Sequence, residues 1–412
     1  MNTNILKFLN ENNLTNFETT VAFLENGGYH LEYRVDKNLP DLYLLCVERG
    51  VESHNCDWET RALNGMILQK SDNRIVCYGP DKCLDVTTTD PTIHAQVFKN
   101  HHGVDLTCAI QEAVDGTMVR LFYYEGKWRL STTRKIDAYK SYWIGGPKNS
   151  FGKQAMDILT SARFINVDGE VVSEANHLEQ MSKVDNCQYT HTFVLCSTNR
   201  HVVKYSRNHL VWISMRNNTT LEEYLPLDPL RFGPDSAIVF PTFHAELTVQ
   251  QVSELVKTNR ADFRGYVVTW LCNGVVSHRV LVDNVLFTET ANALNNCADV
   301  RHRYLELLLE CFASPLNSPA DHARLLLETH YKDEIAGVAL NLSLLANHLH
   351  HLYIAYYIDQ TLDDEDYPDF HQTFSQLNGL HRKRHLEITP SIIYDHLSDL
   401  GGSIVSRLLT SM

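Results

Sequence analysis

At 412 residues the chain is long enough for roughly two or three domains, and 44% apolar with 21% charged residues is ordinary globular composition. This excludes wholesale disorder and collagen-like repeats. Acids outnumber bases 50 to 36, a formal charge of −14. That excludes a general nucleic-acid coat and leaves room only for a local basic groove.

In chain order, residues 3–13 carry apolar side chains at 3–4 spacing and predict a helix. The polar, acidic N-terminus has no apolar run behind a basic start, so no secretory signal is expected. Residues 118–132 are two β-rich runs around Glu125-Gly126, a hairpin signal. Strands are predicted over 190–197, 200–206, 209–215, 264–271 and 277–287, all rich in Val, Tyr, Phe and Ile. A helix is predicted over 247–259.

Composition shifts near residue 300. All five Trp and nine of the ten Cys precede it, and ten of the 21 His follow it. Residues 301–412 carry 8 basic against 15 acidic residues, a net of −7 in about a quarter of the chain. Helices are predicted over 304–312, 318–360 and 389–412, with Ser318-Pro319 and Thr389-Pro390 as starts. Residues 363–369 (DDEDYPD) read as a charged linker. Leu342 to Ile358 is the most apolar helical stretch, but His348, His350 and His351 interrupt it, so no membrane association is expected. No internal repeat is evident.

The cysteines form no CxxC pair, which excludes zinc-ribbon spacing and points to reduced thiols inside a cell, in cytoplasm or nucleus. His348 and His351 share a helical face as a zinc pair could, without a third ligand nearby, and read as ordinary amphipathic residues. The cluster HRKRH at 381–385 reads either as an RNA-phosphate contact or as a solvated turn between helices. GGPKNSFGK (145–153) lacks the P-loop ending.

The informative stretch is Ala113-Val114-Asp115-Gly116-Thr117, an acid–Gly–Thr turn between β runs. It is preceded by ALNGMILQKSDNRIVCYGPDKCLDV (62–86). It is followed, in order, by the hairpin, YWIGGPKNSFGKQAMDIL (142–159), TFVLCSTNRHVVKY (192–205), RGYVV (264–268) and HRVLVDN (278–284). Over roughly residues 55–290 this series resembles the covalent nucleotidyltransferase core of RNA ligases of the bacteriophage T4 RNA ligase 1 kind, including viral relatives. The resemblance implies an α+β fold. Antiparallel sheets with flanking helices would form a cleft in residues 1–295, and an all-helical domain would follow over 296–412.

The family's chemistry, by the same resemblance, runs through a lysine that takes AMP from ATP with Mg2+ and passes it to an RNA 5′-phosphate before the strand is sealed. That chemistry needs an amine nucleophile, metal-holding carboxylates and cations at the transferring phosphate. The matching positions lack them. The nucleophile position is Ala113, the Arg before the first Gly is Asn64, and the Glu ending the Phe-rich strand is Cys196, or Leu195 if the register slips. The Glu of the Glu-Gly motif is Arg264, and the two lysines of the last motif fall at Leu281 and Asp283. Asp115, Gly116, Thr117, Lys82, Phe193, Asn199, Arg200, Gly265 and Tyr266 are retained.

An engineered Lys→Ala change explains Ala113 but none of the other losses, which point to natural decay of catalysis. If instead the alignment is displaced, Lys127 and Lys135 are substitute nucleophiles, though neither precedes an Asp-Gly pair. The expected function is therefore a non-catalytic RNA-ligase-like protein. It would bind RNA, a nucleotide or a protein partner through Asp115, Gly116, Thr117, Lys82, Arg134 and Arg264, with no catalytic residue and no metal ligand. Arg264 either meets an anion or pairs with Asp262 or Asp283. The alternatives are an active ATP- and Mg2+-dependent RNA ligase or capping-type transferase, and a purely structural interaction protein.

Overall fold

The computed structural model describes residues 3–27, 30–48, 51, 58–81, 83–86, 106–143, 146–161, 164–165, 178, 187–198, 202–226, 231–232, 236–257, 261–295, 297, 299–313, 317–362 and 370–411. The chain divides into two compact units, Met1–Phe287 and Thr288–Met412. The linker read over 363–369 lies outside the described residues.

The first unit mixes α and β structure. Helices Thr3–Glu11 and Phe17–Gly27 precede strands β1 (Leu31–Asp36), β2 (Leu39–Val47), β3 (Ile67–Gln69) and β4 (Ile75–Cys77), which form an antiparallel sheet in that order. From Leu42 to Val47 strand β2 reads as an unbroken apolar run because both its faces are buried there. Tyr43, Leu45 and Val47 join Phe8, Leu9 and Leu14 beneath the first helices. Leu42, Leu44 and Cys46 join Phe122 and Ile136 on the other side.

The remaining strands are β5 (Leu84–Val86), β6 (Leu106–Glu112), β7 (Thr117–Tyr124), β8 (Lys127–Thr132), β9 (Phe164–Ile165), β10 (Tyr189–Cys196), β11 (His209–Asn217), β12 (Glu223–Tyr224), β13 (Arg231–Phe232), β14 (Ile238–Val239), β15 (Gly265–Cys272) and β16 (Val275–Asp283). Most of them make one sheet in the order β6-β15-β16-β12-β11-β10-β7-β8. Its pairs are antiparallel, while β5 and β14 add parallel to β16 and β11. The sheet is pinched at β12, which is two residues long and pairs with β16 at Tyr224↔Val275. One half is β6-β15-β16 and the other β11-β10-β7-β8.

The predicted hairpin is present. Glu125 and Gly126 both have positive φ (51° and 74°), which lets a two-residue turn follow the strand twist. Helix Phe151–Ser161 covers this half and buries Ala155, Ile158 and Leu159 against Val119, Leu121, Phe193 and Leu195. Each such side chain contributes about 1.5–3 kcal/mol by burial.

Two strand expectations are corrected. Over 200–206, the described residues from Val202 onward are bends and irregular backbone: Val203 N–H is spent on the Asp115 carboxylate rather than on a ladder, and the Tyr205 hydroxyl ties the segment to the Asp115 carbonyl. The run 277–287 stops being a strand at Asp283. The Asn284 side chain then accepts from Leu286 N–H and opens helix Val285–Leu294.

The second unit is helical in all its described elements, from Val300–Ala313 to Gly402–Thr410. Leu309, Leu345, Leu349, Phe374, Leu397 and Val405 belong to one apolar core. Ser318 and Thr389 cap the helices that Pro319 and Pro390 open, as expected. The single helix expected over 318–360 is broken. Pro319–His330 ends, and Val338–Tyr353 restarts after Gly337 (φ 83°), continuing as a π-turn over Ile354–Ile358. Likewise Gly401 (φ 79°) divides Pro390–Leu400 from Gly402–Thr410. HRKRH is not a turn between helices: His381–Arg384 is the last turn of helix His371–Arg384, and His385 leaves it at φ 51°. No helix among the described residues is long and apolar enough to cross a membrane.

Candidate ligand cavity

Both halves of the large sheet contribute to one cavity of about 330 Å3 in the first unit. All but one segment of the series singled out in the sequence, the hairpin included, reach it; 142–159 does not, because its helix packs into a separate core with Val119, Leu121, Phe193 and Leu195. Asn64, Gly79, Asp81 and Cys83 come from the upstream segment. Ala113 and Val114 come from the nucleophile segment, Val194 from β10, Arg264 and Val267 from the start of β15, and Arg279 and Leu281 from β16. The side-chain alternation of β10 puts its two candidate positions on opposite faces. Val194 and Cys196 share a face with Val114, Tyr205 and Ile213, whereas Leu195 enters the opposite core with Val119 and Phe193.

The degenerate positions have definite partners. Asn64 accepts from Val47 N–H at 3.1 Å. Ala113 N–H donates to the Gly265 carbonyl at 2.8 Å, which holds the nucleophile position beside the Arg264-Gly265 corner. Cys196 donates to the Asp115 carbonyl at 3.6 Å, and burial pushes its thiol up to about 12, so it is inert. Arg264 Nη1 donates to the Val114 carbonyl at 3.0 Å, and its Nε lies 3.8 Å from Asp283 Oδ1, the pairing expected of a cation at the rim.

The retained residues hold the backbone. Asp115 accepts from Val203 N–H at 3.1 Å, while its carbonyl accepts from Tyr205 O–H at 2.7 Å. A Cβ on Gly116 would stand 2.6 Å from the Leu195 carbonyl oxygen, so only glycine lets β7 approach β10 there. Thr117 is the register partner of Leu195. Gly265 has φ 137°, and a Cβ on it would overlap the Val282 carbonyl. Phe193 and Tyr266 are core residues. Arg134 does not line the cavity. It is half exposed and sits 3.6 Å from Glu32. Lys127 and Lys135 are exposed and away from the cavity. Lys82, Asn199 and Arg200 lie outside the described residues.

Four charged groups near the cavity were not legible as a set. Arg120 of β7 is 2% exposed, and its two Nη groups donate to the carbonyls of Gly65 and Thr132. Burial pushes its guanidinium below the ordinary value. Arg279 Nη1 and Arg216 Nη2 both donate to the carboxylate of Glu223, the latter at 2.5 Å. Burial works against the charge of Arg216, but Glu223 and then Asp81 outweigh it and raise its pKa. Asp81 lies 3.2 Å from Arg216 and accepts from Tyr78 O–H, over whose ring Arg216 stacks at 4.0 Å. The signal in sequence was an arginine at an alternating position of an apolar strand, as in Val119-Arg120-Leu121.

Among the described lining residues, three arginines (120, 264 and 279) stand with one carboxylate, Asp81; Glu223 and Asp283 pair with Arg279 and Arg264, which leaves Arg120 without a carboxylate partner among the described residues. A catalytic Mg2+ would need carboxylate or other oxygen ligands free to bind it. Asp81 is committed to Arg216 and Tyr78, so the described lining does not fit that ion. No group of three or more His, Cys, Asp or Glu among the described residues could hold a metal. His348 packs edge-on to Phe370, and His351 meets His350.

No protein-family model matches the chain. Over 206 residues it is 33% identical to the "Immediate-early protein ICP-46 homolog" of Invertebrate iridescent virus 6. That match covers 48% of this chain and 40% of the relative, so the chain aligns with about two fifths of that protein's length. Among solved structures it is similar to an archaeal ATP-dependent RNA ligase in two forms, at TM-scores of 0.42 and 0.40, 12% identity and 79% coverage of each chain. It is also similar to a protein from Aquifex aeolicus proposed to be an ATP-dependent DNA ligase, at 0.41, 10% identity and 82% and 80% coverage.

Proposed function

We propose that this chain is an RNA-ligase-like protein of viral type, acting inside a cell, that has lost nucleotidyl transfer and binds a nucleotide or an RNA end without a covalent step. The observation that carries this reading is convergence. Segments spread from Asn64 to Leu281, ordered as in the ligase series, line one cavity, and Ala113, Asn64, Arg264 and Leu281 all face it. Chance matches to short motifs have no reason to meet in space. No described lining residue supplies an amine, and alanine cannot form a phosphoramidate. A viral setting is supported by the viral relative, and a reducing compartment by nine free thiols among the described residues.

Incubation with α-labelled ATP or GTP and a divalent metal, followed by a denaturing gel, tests the reading. No labelled band is expected from the chain itself or from Ala113→Lys alone, because Leu281 and Asp283 still supply no cation. A labelled band at the chain's mass of 47.2 kDa that disappears when another lysine is replaced would establish an active transferase instead.

A further inference from the structure

The cavity wall contains one cation, Arg120, with no carboxylate partner among the described residues, and a second, Arg279, whose fork is only half filled. Arg120 has only carbonyl partners, no carboxylate pairs with it among the described residues, and its buried Nε has no hydrogen-bond partner. Arg279 is 8% exposed, spends Nη1 on Glu223 and leaves Nη2 buried without a partner. A buried guanidinium with unfilled donors is costly unless an acceptor arrives.

The seat is also shaped for Arg120. A Cβ on Gly65 (φ 87°) would stand 2.7 Å from its Nη1, and one on Gly79 would stand 2.8 Å from its Cδ, so the side chain runs between two glycines. The rest of the lining is largely apolar, including Val114, Met118, Val194, Ile213, Val267 and Leu281. Cationic forks against an apolar wall suit a ligand with an anionic head and a flat apolar-faced body. The volume of about 330 Å3 is at the small end of ligand sites, and the lining does not fit a metal.

Resting on the cleft reading above, we infer that the ligand is a phosphomonoester carried by a nucleoside, a free 5′-monophosphate or the 5′-terminal nucleotide of an RNA. It is held without metal, its phosphate on Arg120 and Arg279. A triphosphate that needs Mg2+ is not the fit.

The test is titration of the full chain, in EDTA, with AMP, GMP, adenosine, and 5′-phosphorylated and 5′-hydroxyl oligoribonucleotides, and separately with Mg·ATP. The expected result is salt-sensitive binding of AMP, GMP or the 5′-phosphorylated RNA, with the unphosphorylated counterparts about ten- to a hundredfold weaker. AMP against phosphorylated RNA separates the free nucleotide from the RNA end. Arg279→Gln should lose about tenfold or more; it takes one of the two arginine partners from the buried Glu223, so a tryptophan-fluorescence melt checks its fold, and Arg279→Lys, which keeps a cation on Glu223 and removes the second fork nitrogen, should lose affinity as well. Arg120→Gln should do the same. If that variant does not fold, Gly79→Ala, which crowds the Arg120 stem, replaces it. Equal binding with and without the phosphate, or unchanged affinity in Arg279→Gln, overturns the inference. Binding of Mg·ATP alone overturns it and leaves the cleft reading standing. No binding of any nucleotide or RNA removes both.

Discussion

Glu223 joins three strands with one carboxylate. It sits on β12, the two-residue link between the halves of the large sheet, and it accepts from Arg216 of β11 and Arg279 of β16. Its exposure is 1%, so water cannot take its place. Glu223→Gln keeps the shape and removes the charge. Two buried guanidinium groups then share only Asp81, which reaches Arg216 alone. Removing one member of a buried ion pair costs about 3–5 kcal/mol.

The control is Lys153–Asp157, a bond of 3.0 Å between side chains 52% and 64% exposed. Asp157→Asn should cost ~0–1 kcal/mol, because solvent screens that pair. All five Trp lie within residues 1–287, so tryptophan fluorescence in urea reads the first unit separately from the helical one. With a urea slope of about 3 kcal/mol per molar, the Glu223→Gln midpoint should fall by about 1–1.7 M. A loss no larger than that of Asp157→Asn would refute the assignment of Glu223 as the central counter-ion.

Further outcomes follow from single positions. Gly265→Ala forces an alanine to φ 137° and against the Val282 carbonyl. It should cost about 1–3 kcal/mol from backbone strain alone, and an unchanged fluorescence melt would contradict it. In the helical unit, burial depresses the pKa of His396 below its ordinary 6.5, with Asp399 opposing weakly. The folded state therefore prefers the neutral ring. Its contribution is present above about pH 6.5 and is lost as pH falls below it. Melting followed by circular dichroism should show lower stability at pH 5.5 than at 7.5, with a smaller difference in His396→Gln.

The sequence revealed what is local or ordered along the chain. Glu125-Gly126 announced the β7–β8 hairpin, and Ser318 and Thr389 announced helix starts, because each signal lies within four residues of the bond it makes. RHVVKYS misled because its β-branched residues suit a strand. Its donors instead serve Asp115, nearly ninety residues earlier, which no local pattern reports. The break at 331–337 was missed because apolar spacing runs through it, while the backbone turns at Gly337. At the cavity, motif order located Asn64, Ala113, Arg264 and Leu281. Arg120, Arg216, Glu223 and Arg279 went unread as a group because each looks like an ordinary strand residue until the sheet brings them together.

Strand β2 carries a consequence for how the chain finds its fold. Because both its faces are hydrocarbon, sliding it by one residue would still bury apolar side chains on each side, and hydrophobic pattern alone does not choose among alignments. Tyr43 does. Its hydroxyl donates to Asn73 at 2.6 Å and lies 3.1 Å from the Thr20 hydroxyl, and Asn73 in turn binds the carbonyls of Leu14 and Asn16. A slipped strand would turn that hydroxyl toward the layer of Phe122 and Ile136 and take it from Asn73 and Thr20. One phenolic oxygen thus acts as a proofreading mark, rejecting wrong alignments that greasy packing would accept.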